Sequence, residues 1–241
     1  MVGQILSCPT YFGASCMMSD DLDALAILPP CNEQITLLHE DQDFLLINKP
    51  HRLLSVPGRH PLNRDSVLAR LQQDYPSASI VHRLDFDTSG IMVIPLNKAA
   101  LSHISKQFQA RHVVKYYTAV VTGLIAQDAG KIDLPIAADQ ENRPRYKICH
   151  QQGKPSVTDY QVLARDSATD TTRVWLHPVT GRSHQLRLHM QAIGHSILGC
   201  EFYAEAAVQQ KAARLLLHAT ELAFAHPRSG EIVKGFSAPP F

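Results

Sequence analysis

No run of about eighteen apolar residues occurs in this 241-residue chain, so no segment has the length needed to cross a bilayer as a helix. The start Met1-Val2-Gly3-Gln4 places no basic group ahead of a long apolar segment, which argues against a secretory signal. Cysteine is sparse and odd in number. Cys8, Cys16, Cys31, Cys149 and Cys200 follow no framework spacing, and no C-x-x-C pair offers half a zinc site. These absences point to a reducing, cytoplasmic setting with no membrane partner. Also lacking are a Pro/Gly/Ser linker, an internal repeat and a low-complexity stretch, so one globular domain is expected over 36–241, behind an N-terminal extension at 1–35.

Basic residues are absent from 1–43, which hold seven acids: Asp20, Asp21, Asp23, Glu33, Glu40, Asp41 and Asp43. The rest of the chain therefore sets 23 basic residues against 15 acidic ones, the total of 22 less those seven, a formal +8. That balance is compatible with RNA binding, although a mixed solvated surface accounts for much of it. The thirteen histidines do not suggest a metal. His184, His189 and His195 are spaced five and six apart, unlike ligands that share a helix face, and read as packing, capping or RNA-contact residues.

Short strands dominate the pattern, at Ile35–Leu38, Phe44–Asn48, Ile91–Pro95, Tyr116–Val121, Val157–Leu163, Arg173–Leu176, Leu215–Phe224 and Ile232–Phe236. The clearest helix follows Asn97, a capping residue, and puts Leu101, Ile104 and Phe108 on one stripe. Further helices are expected over Ser66–Gln73 and from Ser183 to Ile193, the latter stopped by Gly194. Many strands with few helices indicate an α+β fold rather than a doubly wound sheet.

The segment His82-Arg83-Leu84-Asp85-Phe86-Asp87-Thr88-Ser89-Gly90 concentrates the chemistry. It places a carboxylate beside an arginine in a polar turn that runs directly into an apolar strand. A surface Asp–Arg salt bridge would fit the same residues. What favours a catalytic acid is that this segment resembles the signature of the RluA-type branch of RNA pseudouridine synthases. Further blocks resemble that family in its order: Asp43 to Pro50 with Leu53 to Gly58, Lys115-Tyr116-Tyr117, Asp133 to Ile136, Asn142-Arg143-Pro144, Gly181 to Arg187 and Leu216 to Ala219. Two departures are His51-Arg52, where a small pair usually follows Lys-Pro, and Cys200, where an aspartate is common; neither lies on the signature loop.

The resemblance implies a pseudouridine synthase catalytic fold, with a mixed, largely antiparallel sheet, flanking helices and a central cleft. It implies isomerisation of uridine to pseudouridine in both a large-subunit rRNA loop and a tRNA anticodon arm, or in one of the two. The reaction moves the sugar C1′ bond from base N1 to C5, with no redox change and no cofactor. Asp85 is implied as the catalytic carboxylate, whether it attacks C1′, attacks C6 or assists a glycal-like intermediate. Arg187 is its implied ion-pair partner, because an opposite charge at close range favours the ionised form. Alternation along the strand sends Tyr116 and Tyr117 to opposite faces, and the resemblance assigns Tyr117 to stack on the flipped uracil and to move a proton. His82, Arg83, Arg182 and Leu186 are the implied substrate contacts, with Arg83 either filling the gap left by the base or pairing with Asp87. No metal site is implied, and the expected species is a compact monomer that binds RNA. A sugar-bond hydrolase would need a second placed acid, for which Asp87 is the nearby candidate.

Overall fold

The computed structural model describes residues 26–241, so most of the N-terminal extension expected over 1–35 lies outside the described residues. Its last residues lie against the domain, where the Leu28 amide donates to Asn63 Oδ1 at 2.9 Å. Eleven strands are present among the described residues, against the eight expected: β1 (Thr36–Glu40), β2 (Phe44–Lys49), β3 (Ser89–Pro95), β4 (Val114–Thr122), β5 (Ala129–Asp133), β6 (Ile136–Ala138), β7 (Tyr146–Ile148), β8 (Val157–Asp166), β9 (Thr171–Pro178), β10 (Leu217–Ala225) and β11 (Ile232–Phe236). The three unforeseen strands are too short or too polar to carry a readable apolar alternation. β5 is an edge strand with one buried residue, and β6 and β7 form a three-residue hairpin pair, so their partners create them.

Nine strands make one sheet in the order β1-β2-β3-β10-β4-β9-β8-β5, with β11 added on β10. Every pairing in it is antiparallel except β3 with β10. The α+β reading therefore holds. β3 reads as a continuous apolar run because both of its faces are covered, and all seven of its residues are buried.

The described residues form four α-helices, α1 (Val67–Leu71), α2 (Lys98–Gln109), α3 (Gln185–Ala192) and α4 (Ala206–Gln209), of which α2 and α3 pack on the strands. No helix among the described residues is long and apolar enough to cross a membrane. Ser66 and Asn97 cap α1 and α2, the Asn97 side chain accepting the Ala100 amide at 2.9 Å. On α2 the buried residues are Ala100, Ile104 and Gln107, with Phe108 half-buried beside them, so the expected stripe is rotated slightly from Leu101. α3 begins at Gln185, two residues later than expected, because His184 takes a left-handed backbone (φ 56°) that cannot be helical.

Two hydrophobic cores result. One surrounds β2, β3 and α2, the other packs β4 and β9 against α3, and Tyr117 touches both. They join where β3 and β10 run parallel for two residue pairs, His218 with Ser89 and Ala219 with Gly90. A Cβ on Gly90 would lie 2.3 Å from the Ala219 carbonyl oxygen, and its φ of 122° is open only to glycine. Beside this crossing, Ser89 Oγ and His218 Nδ1 are 2.8 Å apart, and His218 Nε2 lies 3.1 Å from Ser237 Oγ.

Burial, aided by Arg214 and opposed by the Ser237 carbonyl, pulls His218 from 6.5 down to about 4. Between those values the unfolded chain binds a proton that the folded chain does not, so stability falls as pH drops through that window. The full effect is ~3 kcal/mol, at about 1.4 kcal/mol per pKa unit. Urea midpoints at pH 7 and pH 5 are expected to fall further for the wild type than for His218→Asn. Equal losses would remove His218 as a source of acid sensitivity.

Candidate active site

The loop Val81 to Thr88 enters β3 and is tied down residue by residue. Ser55 Oγ donates to the Leu84 carbonyl at 2.9 Å and accepts the Leu84 amide at 3.1 Å. The Asp85 carbonyl accepts the Thr88 amide at 3.1 Å and closes the turn. His82 Nε2 accepts the Val93 amide at 3.1 Å, and its ring stacks on Phe108 with centroids 4.8 Å apart. Burial, with Lys115 adding to it, pushes His82 down to about 3, so it is a neutral acceptor that positions the loop while lining the cleft.

Lys49 is the least expected part of this frame. Fully buried at the end of β2, it donates to the carbonyls of Pro50 (2.9 Å), Leu53 (2.8 Å) and Phe86 (3.2 Å). Burial lowers its pKa to about 7, against the raising effect of Asp85 and Asp87. Three carbonyl acceptors match the three donors of an ammonium. Lys49 is thus the clasp between β2 and the loop. In the sequence it is a charged residue ending an apolar strand, as any solvent-facing lysine could be, and its place in the family-like block Asp43 to Pro50 does not say that it is buried.

The loop forms one wall of a cleft of about 710 Å³ between the two cores. Among the described residues Asp85 is the only carboxylate lining it, together with five cationic side chains: Arg83, Arg111, Lys115, Arg182 and Arg187. All seven of the residues anticipated from sequence line this cleft: Asp85, Tyr117, Arg187, His82, Arg83, Arg182 and Leu186. Arg83 is exposed and makes no ion pair among the described residues. Asp87 instead lines a smaller cavity of about 260 Å³ with His51, Arg52 and Arg214. Tyr117 faces the cleft, whereas Tyr116 packs on Trp175 and His177 at 5.4 and 5.1 Å, as the strand alternation requires. Burial and the Asp85 charge push the Tyr117 phenol far above its ordinary value, so it is a protonated donor and a ring to stack on.

Arg187 is only 2% exposed, which rules out a surface role. Its Nη1 lies 3.9 Å from Asp85 Oδ2, its Nε donates to Cys200 Sγ at 3.2 Å, and its guanidinium sits over Phe202 and Tyr203 at 5.1 and 5.4 Å. Burial works against the arginine charge, yet Cys200 and Asp85 hold its pKa above the ordinary value. Cys200, a mere departure from the family pattern in sequence, is therefore a direct partner of the site's arginine. Arg187 Nη2 is buried without a hydrogen-bond partner among the described residues.

Among the neighbouring histidines, His189 is consumed by Thr158 Oγ1 (2.9 Å) and the Leu134 carbonyl (3.0 Å), and His195 by the Thr122 carbonyl (2.8 Å). His184 is different, with Nε2 4.0 Å from Asp85 Oδ2 and no capping bond to its helix. Gln185 anchors this end of α3, accepting from Thr180 Oγ1 at 2.7 Å and donating to the Val157 carbonyl at 2.9 Å. Asp41, Asp43 and His226 have cation-like spacing, but their donor atoms are taken by one another, Asn97 and Arg228.

Replacing Lys49 with Met leaves three buried carbonyls without a donor and frees the loop. A stability loss of about 3 kcal/mol is expected. Denaturant titration measures it; a loss below about 1 kcal/mol would show that water replaces the ammonium.

A family model described as RNA pseudouridylate synthase matches residues 43–192, which carry the loop, β4 and α3. The chain is 51% identical over 194 residues to the dual-specificity RNA pseudouridine synthase RluA of Yersinia pestis, covering 80% of this chain and 94% of that one. It is 47% identical over 211 residues to the enzyme of the same name from Escherichia coli K12, covering 88% and 95%. Among solved structures, human RNA pseudouridylate synthase domain containing 1 superposes with a TM-score of 0.74 at 33% identity, covering 88% of this chain and 86% of that chain. With its fold, its carboxylate-bearing cleft and these matches, the chain belongs to the RNA pseudouridylate synthase family, whose members isomerise uridine in RNA.

Proposed function

We propose that this enzyme modifies two RNAs, a large-subunit rRNA loop and a tRNA anticodon arm, with Asp85 as the reacting carboxylate. The observation that carries the site assignment is that, among the described residues, one carboxylate lines a cleft otherwise charged by five cations. That charge pattern suits a polyanion whose one uridine is brought to an acid. It does not suit a sugar-bond hydrolase, which needs two facing carboxylates, because Asp87 lines a different cavity.

In this reading the target uridine leaves its stack and enters the cleft, and Arg83 fills the space it vacates. The uracil lies on Tyr117, and Leu186 shapes the opposing wall. Asp85 opens the bond from C1′ to N1, the base turns, and C1′ joins C5. The C5 proton is lost and N1 gains one, so the product is an isomer and nothing is oxidised or hydrolysed. The Tyr117 phenol serves as donor and stacking surface rather than as base, since it holds its proton. Lys115 and Arg182 face the cleft as phosphate contacts, and burial already lowers the Lys115 pKa. Dual specificity is supported by the near-full-length likeness to dual-specificity relatives. The working species is read as a monomer in the cytoplasm, since the cysteine pattern calls for no oxidising compartment.

Purified protein incubated with unmodified rRNA and tRNA, followed by carbodiimide labelling and primer extension, is expected to give stops in both RNAs. Asp85→Asn is expected to abolish them while RNA affinity stays within about threefold. Stops in one RNA alone would reduce the enzyme to single specificity, and product from Asp85→Asn would overturn the site assignment. Lys115→Met is expected to flatten the slope of log Kd against log salt by ~0.7, the share of one phosphate contact. An unchanged slope would place Lys115 away from the backbone.

A further inference from the structure

The two nitrogens of the His184 ring meet opposite surroundings. Nδ1 lies 2.5 Å from Tyr203 Oη, and Nε2 points toward the Asp85 carboxylate, 4.0 Å from Oδ2. The Tyr203 oxygen already accepts the Tyr146 amide at 2.9 Å. Its hydroxyl proton therefore needs an acceptor, since the side chain is buried and an unpaired hydroxyl there is costly. His184 Nδ1 is the acceptor within reach among the described residues. The hydroxyl keeps that proton, because burial pushes Tyr203 up to about 12.

An imidazole that accepts at Nδ1 carries its proton on Nε2. A carboxylate only accepts, so the Asp85 side of the ring demands the same tautomer as the Tyr203 side. Burial, opposed by Asp85, lowers the His184 pKa and keeps the ring neutral. The ring plane is held as well. It stacks on Phe202 with centroids 5.6 Å apart and meets Tyr146 and Tyr203 edge-on at 5.3 and 5.5 Å. Its backbone sits in the left-handed region, at a cost of about 1 kcal/mol that the surrounding contacts hold in place.

We infer that the Tyr146 amide, the Tyr203 hydroxyl and His184 form a chain of fixed donors that presents His184 Nε2–H to Asp85. His184 and Tyr203 are then positioning residues for the carboxylate, a role that rests on the reading of Asp85 given above. Arg187 and His184 both approach Oδ2, one with a charge and one with a neutral donor. Oδ1 is left as the oxygen free to react.

The test joins spectroscopy and kinetics on the full chain. Long-range proton–nitrogen NMR of histidine-labelled protein at pH 7, with His184 assigned through His184→Gln, is expected to show Nδ1 bare and Nε2 protonated. Tyr203→Phe removes one oxygen from a packed ring and is expected to mix the two tautomers. In single-turnover assays the same variant is expected to slow the reaction about tenfold with RNA affinity unchanged, the scale on which orienting partners act. His184→Phe is expected to lose about a hundredfold, and His184→Gln, which can present an amide N–H, to recover part of it. A proton on Nδ1 in the wild type, or full-speed turnover by Tyr203→Phe, overturns the inference. Failure of the underlying reading is seen separately, as product formation by Asp85→Asn.

Discussion

The close parallel contact of β3 with β10 is the constraint on which the rest of this enzyme depends. For two residue pairs the backbones approach so tightly that a single Cβ on Gly90 would strike the Ala219 backbone. All other pairings in the main sheet are antiparallel, and among the described residues this is the one strand pairing that joins the β1-β2-β3 side to the β10-β4-β9-β8-β5 side. It also sets the direction in which the chain leaves the loop carrying Asp85. The glycine ending the His-Arg-Leu-Asp segment therefore serves the sheet, and through the sheet the site. Ser89 and His218 add a buried hydrogen bond at the same point, and Arg214 reaches Ser89 Oγ at 2.5 Å.

Around that joint the site is built from polar groups placed where polar groups are expensive. Lys49 is fully buried and made tolerable by three carbonyls, while Arg187 is buried between two aromatic rings, a thiol and a carboxylate. Each buried charge carries a desolvation cost that only its own partners offset, so removing either side of the arrangement is destabilising. Their value lies in rigidity: Lys49 fixes the backbone of the loop at Phe86, next to Asp85, and Arg187 lies 3.9 Å from the Asp85 carboxylate, so the polar frame of the cleft is set before any ligand enters.

The two departures from the family pattern acquire meaning from position. Cys200 accepts from Arg187 Nε, so a thiol takes part in orienting the site's arginine. His51 and Arg52 line the smaller cavity behind the loop, together with Asp87, where they change the surroundings of that loop without entering the cleft. Variation of this kind tunes the support of a site while leaving its chemistry in place.

How much was legible before any coordinates depends on the kind of signal. The α+β class, the capped helix after Asn97, the opposite facing of Tyr116 and Tyr117, and the gathering of Asp85, Tyr117, Arg187, His82, Arg83, Arg182 and Leu186 were within reach of the sequence. They rest on periodicity, on capping chemistry and on short motifs that survive in linear order. What only the tertiary structure decided is which residues meet across long separations: Lys49 with Phe86, Ser55 with Leu84, Cys200 with Arg187, and His184 with both Tyr203 and Asp85. The same holds for β5, β6 and β7, whose sequences are too short or too polar to carry a readable alternation and which exist because a partner strand offers hydrogen bonds. The division has one physical cause: a local pattern is written in neighbouring side chains, whereas the role of a buried polar group is written in the partners that folding brings to it.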